Sequence, residues 1–294
     1  MANSLDSILE YALQVGAVDL ILAEGFSPAV RLAGRVRCIP NAEKIAFGEL
    51  ESFLGPLDGE NGAFRGGPWA KTEWRVRYFR EAFGKTAVLR PIGMDAPELS
   101  ALSIPDSAVS LLGADSGLIL FAGPMLSGKT TTASAFVSEL CSRRTLRVSF
   151  LDSLPEYRLR TGNCLVQRRR SRVSLESEIL QGVRSGTDLF WLGDLVCESL
   201  LPALRAASSG ALVVATFTAG SVRDVLNCLA SADTSENRMF LRAILAANLR
   251  AIVAQRLVPS GDGKSLVSAW DVFGVDSNVA PLIASGESEK IFES

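Results

Sequence analysis

Apolar positions along the chain fall into two textures. In the first, Leu5, Ile8, Leu9, Ala12 and Leu13 recur at helical spacing, with Asn3 or Ser4 placed to cap the helix. Three short apolar runs follow at 17–23, 28–34 and 35–40, split by Gly25, Pro28 and Gly34, and predict strands. Residues 72–93 carry two apolar–polar alternations around the Glu81–Lys85 stretch, the pattern of a hairpin. Residues 1–92 are therefore expected to form a small α+β domain.

From Gly117 the texture changes. The runs 117–123, 146–152, 187–194 and 211–217 are continuously apolar, as strands buried on both faces are. Helical patterns at 129–142, 174–186 and 198–210 lie between them. Such alternation predicts an α/β domain with a mainly parallel sheet over residues 114–294. Residues 93–113 hold two prolines and no strand pattern, and read as a linker.

The first buried run of the second domain ends in Gly123-Pro124-Met125-Leu126-Ser127-Gly128-Lys129-Thr130, which fits G-x-x-x-x-G-K-[ST] between a strand and a helix. The chemistry follows from the residue types. Glycines let backbone N–H groups curl around phosphate oxygens, and the helix N-terminus adds positive potential. Lys129 supplies a point charge and the Thr130 hydroxyl a ligand for Mg²⁺. Gly123, Pro124, Ser127, Gly128, Lys129, Thr130 and Thr131 are the candidate nucleotide-binding residues, and ATP with Mg²⁺ the expected ligand.

Acids at strand ends come next. Asp194 closes the run 187–194, about where a Walker B carboxylate would hold Mg²⁺ or orient water. It is equally placed to cap the helix after it. Asp152 ends the run 146–152 and Glu156 follows it, and in a parallel sheet strand C-termini face the nucleotide. A solvated turn around Pro155 is the plainer alternative. Asp194, Glu156 and Asp152 are the candidate catalytic residues, with Thr130 and Asp194 for the metal. Arg158, Arg160, Arg168, Arg169, Arg170 and Arg172 form a basic stretch. It reads as a solvated or inter-subunit face, an arginine source for a neighbouring nucleotide, or a DNA contact.

Composition narrows these classes. The chain of 294 residues has no histidine, which excludes imidazole ligands and bases. A net charge of −2 argues against a nucleic-acid partner. No apolar run is long enough to span a bilayer, and the N-terminus lacks a basic leader, so the cytoplasm is the expected compartment. The five cysteines are far apart with no CxxC pair and are expected as free thiols.

Several segments together resemble the type II/type IV secretion ATPases, and within them the type IV pilus retraction ATPases. The stretch 16–39 is similar to the family's opening motif, 123–132 to GPTGSGKSTT, 150–157 to TIEDPIEY and 185–200 to its Walker B element. Residues 206–221 resemble the His box and 245–273 the LANSLxGVIxQRLLP segment. The resemblance implies an N-terminal PAS-like domain and a RecA-like P-loop domain assembled as a hexamer, homomeric or mixed. Partners would be pilus or secretion platform proteins at the inner membrane, in a twitching-motility or secretion role. It also implies trans-acting arginines at Arg75 and Arg90.

The departures concern catalysis. Asp152 and Asp194 stand where the family has Glu, and Ala211 and Thr218 where it has the two His-box histidines. Met125-Leu126 replaces a Thr-Gly pair in the phosphate loop. The closing helix lacks the family's arginines and the chain stops soon after it, which counts against a direct retraction motor. Shortening Glu to Asp withdraws the carboxylate by roughly 1.5 Å. A misplacement of about 1 Å can cost on the order of 100-fold in rate. The expected protein binds ATP and hydrolyses it weakly, or is an impaired paralogue that joins or regulates a ring of active homologues.

Overall fold

The computed structural model describes residues 4–32, 34–54, 61–69, 72–82, 84–92, 95–152, 156–168, 174–231, 238–261 and 266–292. It divides into two compact units, Met1–Met94 with Leu154–Arg158, and Asp95–Ser153 with Leu159–Ser294.

The first unit opens with helix α1 (Leu5–Gln14), capped by the Ser4 side chain, which accepts from the Ser7 N–H at 3.2 Å. Strands β1 (Asp19–Ala23), β2 (Ala29–Leu32) and β3 (Arg35–Cys38) follow, then helix α2 (Glu49–Leu54) and strands β4 (Asn61–Trp69), β5 (Thr72–Glu81) and β6 (Gly84–Ile92). They form one antiparallel sheet in the order β3-β2-β1-β6-β5-β4. The core takes alternate residues of the strands, Trp74, Val76 and Tyr78 of β5 and Ala87 and Leu89 of β6, against Ile8, Leu9 and Ala12 of α1. Period 2 on the sheet and 3.6 on the helix put these groups on one side, where each large side chain contributes about 1.5–3 kcal/mol by burial. The expected hairpin closes with Glu81 opposite Gly84. Strand β4 carries no strand pattern in the sequence because Gly62, Gly66, Gly67 and Pro68 interrupt it. It lies at the sheet edge, where proline and a bulge between Arg65 and Pro68 are tolerated.

The second unit begins with short helical turns that include α3 (Asp106–Val109), and Leu99, Ala108 and Leu112 from this stretch enter its core. Then come β7 (Gly117–Gly123), α4 (Lys129–Arg143), β8 (Arg147–Phe150), β9 (Leu165–Arg168), α5 (Leu175–Arg184), β10 (Leu189–Asp194), α6 (Leu200–Ser208), β11 (Leu212–Thr218) and α7 (Val222–Ser231). Helix α8 (Arg238–Asn248), strands β12 (Leu249–Pro259) and β13 (Leu266–Gly274), and helix α9 (Val279–Ser285) complete it. The sheet order is β13-β12-β7-β11-β10-β8-β9, parallel except for the β12–β13 hairpin. The fold is thus α/β as the patterns predicted, an antiparallel N-terminal sheet followed by a mainly parallel one.

All seven residues of β7 are buried, and two cores fill the faces of the sheet. Phe121 packs on Phe136 of α4 at 5.2 Å between ring centroids, fastening the helix to the strand that feeds it. Trp191 of β10 stacks on Phe150 of β8 at 5.7 Å.

The cysteines depart from expectation. Cys197 and Cys228 form a disulfide with 6.8 Å between their Cα atoms, whereas Cys38, Cys141 and Cys164 are free. The two are 31 residues apart. They meet because β10 and β11 are parallel neighbours, so the segments leaving their C-terminal ends run side by side. Spacing rules contain no such information.

Candidate functional site

The three strands β7, β11 and β10 lie adjacent and parallel, so their C-terminal ends come out together. Gly123 ends β7, Thr218 is paired with it at the end of β11, and Asp194 ends β10.

After Gly123 the chain makes a tight loop into α4, a helix of 15 residues. Its N-cap Gly128 has φ +87° and no side chain caps the first turn. The leading N–H groups of such a helix have no intrahelical acceptor and favour an anion. Neither loop glycine has room for a side chain. A Cβ at Gly123 would lie 2.4 Å from both the Gln255 carbonyl oxygen and Ser127 Oγ, and one at Gly128 would lie 2.8 Å from Gln255 Nε2. Ser127 is buried, and its hydroxyl has no hydrogen-bond partner. Lys129 is buried to 8% exposure, with Nζ donating to the Pro124 carbonyl at 3.4 Å. Thr130 and Thr131 follow in the first turn, both half-buried. A cradle closed to side chains, a buried cation and an orphaned hydroxyl together suit an oxyanion of the phosphate class.

Met125 and Leu126 form the exposed crest of the loop, and Leu126 takes φ +63°, a left-handed conformation. A γ-branched residue there carries a strain of roughly 1 kcal/mol that glycine would not.

Among the predicted acids, Asp194 is exposed and its Oδ1 accepts from the Thr218 hydroxyl at 3.2 Å. Next to it the Thr216 hydroxyl donates to the Gly193 carbonyl at 2.9 Å, and the Leu195 N–H donates to the Thr216 carbonyl at 2.8 Å. Asp152 packs against the same turn: a Cβ at Gly193 would lie 2.8 Å from its carboxyl carbon. Glycine at 193 therefore leaves space for Asp152, and the two short acids are brought to one place.

Glu156 belongs to the first unit, together with both predicted arginines. Its Oε1 accepts from Nη1 of Arg75 and Nη1 of Arg90, each at 3.1 Å. Arg90 also donates through Nε to Asp19 at 2.9 Å, and Asp19 takes a further bond from Arg31 at 3.2 Å. Burial works against the Arg90 charge. The Asp19 hydrogen bond and the charges of Asp19 and Glu156 outweigh it, holding the guanidinium above its ordinary value. In this structure the two arginines are engaged with carboxylates of their own unit.

The basic stretch resolves into parts. Arg158 is exposed, and Arg160 bonds to the Ala96 and Pro97 carbonyls and to Glu98. Arg168 ends β9, and Arg169, Arg170 and Arg172 lie outside the described residues. Among the described residues no cluster of carboxylates and cysteines is arranged to hold a metal without a ligand's help. None of the described helices is long and apolar enough to cross a membrane.

A family model for type II/IV secretion system proteins matches residues 70–275, which spans the phosphate loop, both strand-end acids and the β12–β13 hairpin. The chain belongs to this family. Among family relatives, Escherichia coli (strain K12) uncharacterized protein YggR is 26% identical over 299 residues, covering 98% of this chain and 91% of that protein. The type IV pilus ATPase PilU of Pseudomonas aeruginosa is 26% identical over 301 residues, covering 97% of this chain and 78% of PilU. The fold is that of the crystal structure of the pilus retraction motor PilT with bound ADP, at a TM-score of 0.85 and 22% identity over 99% of this chain and 88% of that one.

Gln255 and Asp19 were not singled out from the sequence. A glutamine directly after the apolar run 251–254 was the available signal for the first. For Asp19 the signal was of the same kind, a lone acid inside the apolar run 17–23.

Proposed function

We propose that this chain is an ATP-binding subunit of a type IV pilus or related secretion motor, working as part of a hexameric ring, with slow hydrolysis. The observation that carries the reading is the loop 123–130, whose glycines are closed to side chains and whose Lys129 and helix N-terminus suit a polyphosphate. The names of relatives such as PilU, and the ADP bound to PilT, support a nucleotide as the ligand and a pilus system as the setting.

Bound ATP would supply a phosphoanhydride bond whose cleavage by water, giving ADP and phosphate, releases free energy. The chain's own residues supply the rest. Backbone N–H groups of the loop and Lys129 hold the phosphates, and Thr130 with Asp194 would hold Mg²⁺. Asp194 and Asp152 are the carboxylates that could orient water; Glu156, the third candidate, is engaged by Arg75 and Arg90. Slow turnover is inferred from residue type: two acids are one methylene shorter than the family pattern, and Thr218 replaces a histidine. Arg75 and Arg90 would act on a nucleotide only after leaving Glu156. Pilus or secretion platform proteins are the inferred partners, at the cytoplasmic face of a membrane.

A second reading is a nucleotide-binding paralogue that regulates or joins a ring of active homologues. The Thr218 bond to Asp194 favours it, since a carboxylate held by a neighbouring hydroxyl is less available to water.

The test is thermal unfolding with and without ATP–Mg²⁺, beside steady-state phosphate release from the same sample. A ligand at about 100 times its Kd stabilises by about 2.7 kcal/mol. Lys129→Ala should abolish that gain. If millimolar ATP–Mg²⁺ leaves the wild-type transition unmoved, the nucleotide reading fails. A measurable phosphate-release rate separates the motor from the regulatory paralogue.

A further inference from the structure

We infer that Gln255 is the positioning residue of the phosphate loop. Its backbone oxygen and its carboxamide together fix the curvature of residues 123–128, and the N–H edge of the carboxamide faces the anion cradle. The inference rests on the nucleotide reading above for its consequences, but not for its geometry.

Gln255 lies on β12, one residue beyond the last β12 residue paired with β7, and is only 4% exposed. A buried carboxamide must have its hydrogen bonds met, and this one does so by joining three elements. Oε1 accepts from the Thr132 hydroxyl in α4 at 2.8 Å, and Thr132 is wholly buried. Nε2 donates to the Ser268 hydroxyl of β13 at 3.3 Å. The same residue sets the space for both loop glycines, its backbone oxygen beneath Gly123 and its Nε2 beneath Gly128. The loop thus rests on Gln255 at two points, and the first full turn of α4 is tied to it at a third.

The orientation of the amide matters as much as its bulk. Nε2, the positive end of the amide dipole, is the atom beside Gly128, where the N-terminus of α4 begins. It adds to the positive potential that a phosphate would meet. A carboxylate of the same shape would keep the acceptor for Thr132 but reverse the sign at Gly128.

Three variants separate positioning from simple packing. Gln255→Met keeps volume without polarity, Gln255→Glu keeps shape and reverses charge, and Thr132→Val removes the α4 anchor from the other side. Hydrogen exchange on the nucleotide-free protein reads the loop directly. Gln255→Met and Thr132→Val should each speed exchange of the Ser127 and Thr132 amides, which donate to the Pro124 and Gly128 carbonyls, by at least about 10-fold, with β10 unchanged. Affinity for ATP and for tripolyphosphate, followed by calorimetry, reads the electrostatic half. Gln255→Glu should weaken both by about 10-fold at pH 8, and by less at pH 5.5, because burial raises the carboxyl pKa and the neutral acid resembles the amide. A packing role alone would lower stability without a pH-dependent affinity ratio to wild type. Unchanged loop exchange in both Gln255→Met and Thr132→Val overturns the positioning role. Should Gln255→Met fail to fold, Thr132→Val and Gln255→Glu decide it. If wild type binds neither ATP nor tripolyphosphate, the nucleotide reading fails, while the exchange measurement still decides the role of Gln255.

Discussion

The Thr218 hydroxyl donates to Oδ1 of Asp194 at 3.2 Å, joining the ends of two parallel strands beside the phosphate loop. Because Asn retains an oxygen acceptor at that atom, Asp194→Asn keeps the bond and removes only the charge. We expect phosphate release to fall by about 10–100-fold, some 1.4–2.7 kcal/mol of barrier, with ATP affinity within about 3-fold of wild type. Asp194→Glu should leave turnover equal or higher, since it extends the carboxylate beyond the reach of Thr218. Undiminished turnover in Asp194→Asn would move the chemistry to Asp152 or Glu156.

Leu126 sits at φ +63° on the exposed crest of the loop. Leu126→Gly relieves left-handed strain of roughly 1 kcal/mol, and freeing the unfolded chain returns about 0.4–1 kcal/mol of that. The expected outcome is a variant as stable as wild type or up to about 0.6 kcal/mol more so. Leu126→Val, β-branched, should lose about 1 kcal/mol. Denaturant titration checks both, and a Gly variant clearly less stable than the Val variant would contradict the strain.

The Cys197–Cys228 bond closes a loop across 31 residues. Loop-closure entropy for that length corresponds to about 3–4 kcal/mol. Oxidised wild type should therefore exceed the Cys197→Ser, Cys228→Ser double variant by about 2–4 kcal/mol, and a dithiol reductant should remove the difference. Equal stability of the three samples in denaturant would mean that the bond does not constrain the chain. Peptide mapping after differential alkylation of cell extract would report its state in vivo.

Burial, and then the neighbouring Cys164, push the Cys141 thiol up to about 12. The folded state keeps this proton where the unfolded chain releases it. The stabilisation is complete below the ordinary thiol range and is lost as pH rises from there toward about 12. At pH 9, iodoacetamide should label exposed Cys38 quickly and Cys141 only as fast as the protein opens. Rapid native-state labelling of Cys141, measured by peptide mass spectrometry, would contradict its burial. In Cys141→Ala the decline of stability between pH 9 and 11 should be shallower.

The sequence alone determined those features that depend on local order. Period 3.6 marked α1, continuous apolar runs marked β7, β8, β10 and β11, and the spacing of Gly123, Gly128 and Lys129 marked the loop, because a strand–loop–helix cradle is written in contiguous residues. The edge strand β4 escaped, since it holds glycines and a proline that an interior strand would not accept. Tertiary structure decided what depends on meeting across the sheet. The 7-stranded order places β11 between β7 and β10, and only that order brings Thr218 to Asp194 and Cys197 to Cys228. Parallel neighbours are joined by crossovers of many residues, so their side chains carry no mark of partnership in the chain. Gln255 is the clearest instance, 123 positions from the Thr132 that it anchors. A polar group in an apolar strand signals that a partner exists, and the packing of β12 beside β7 selects which one.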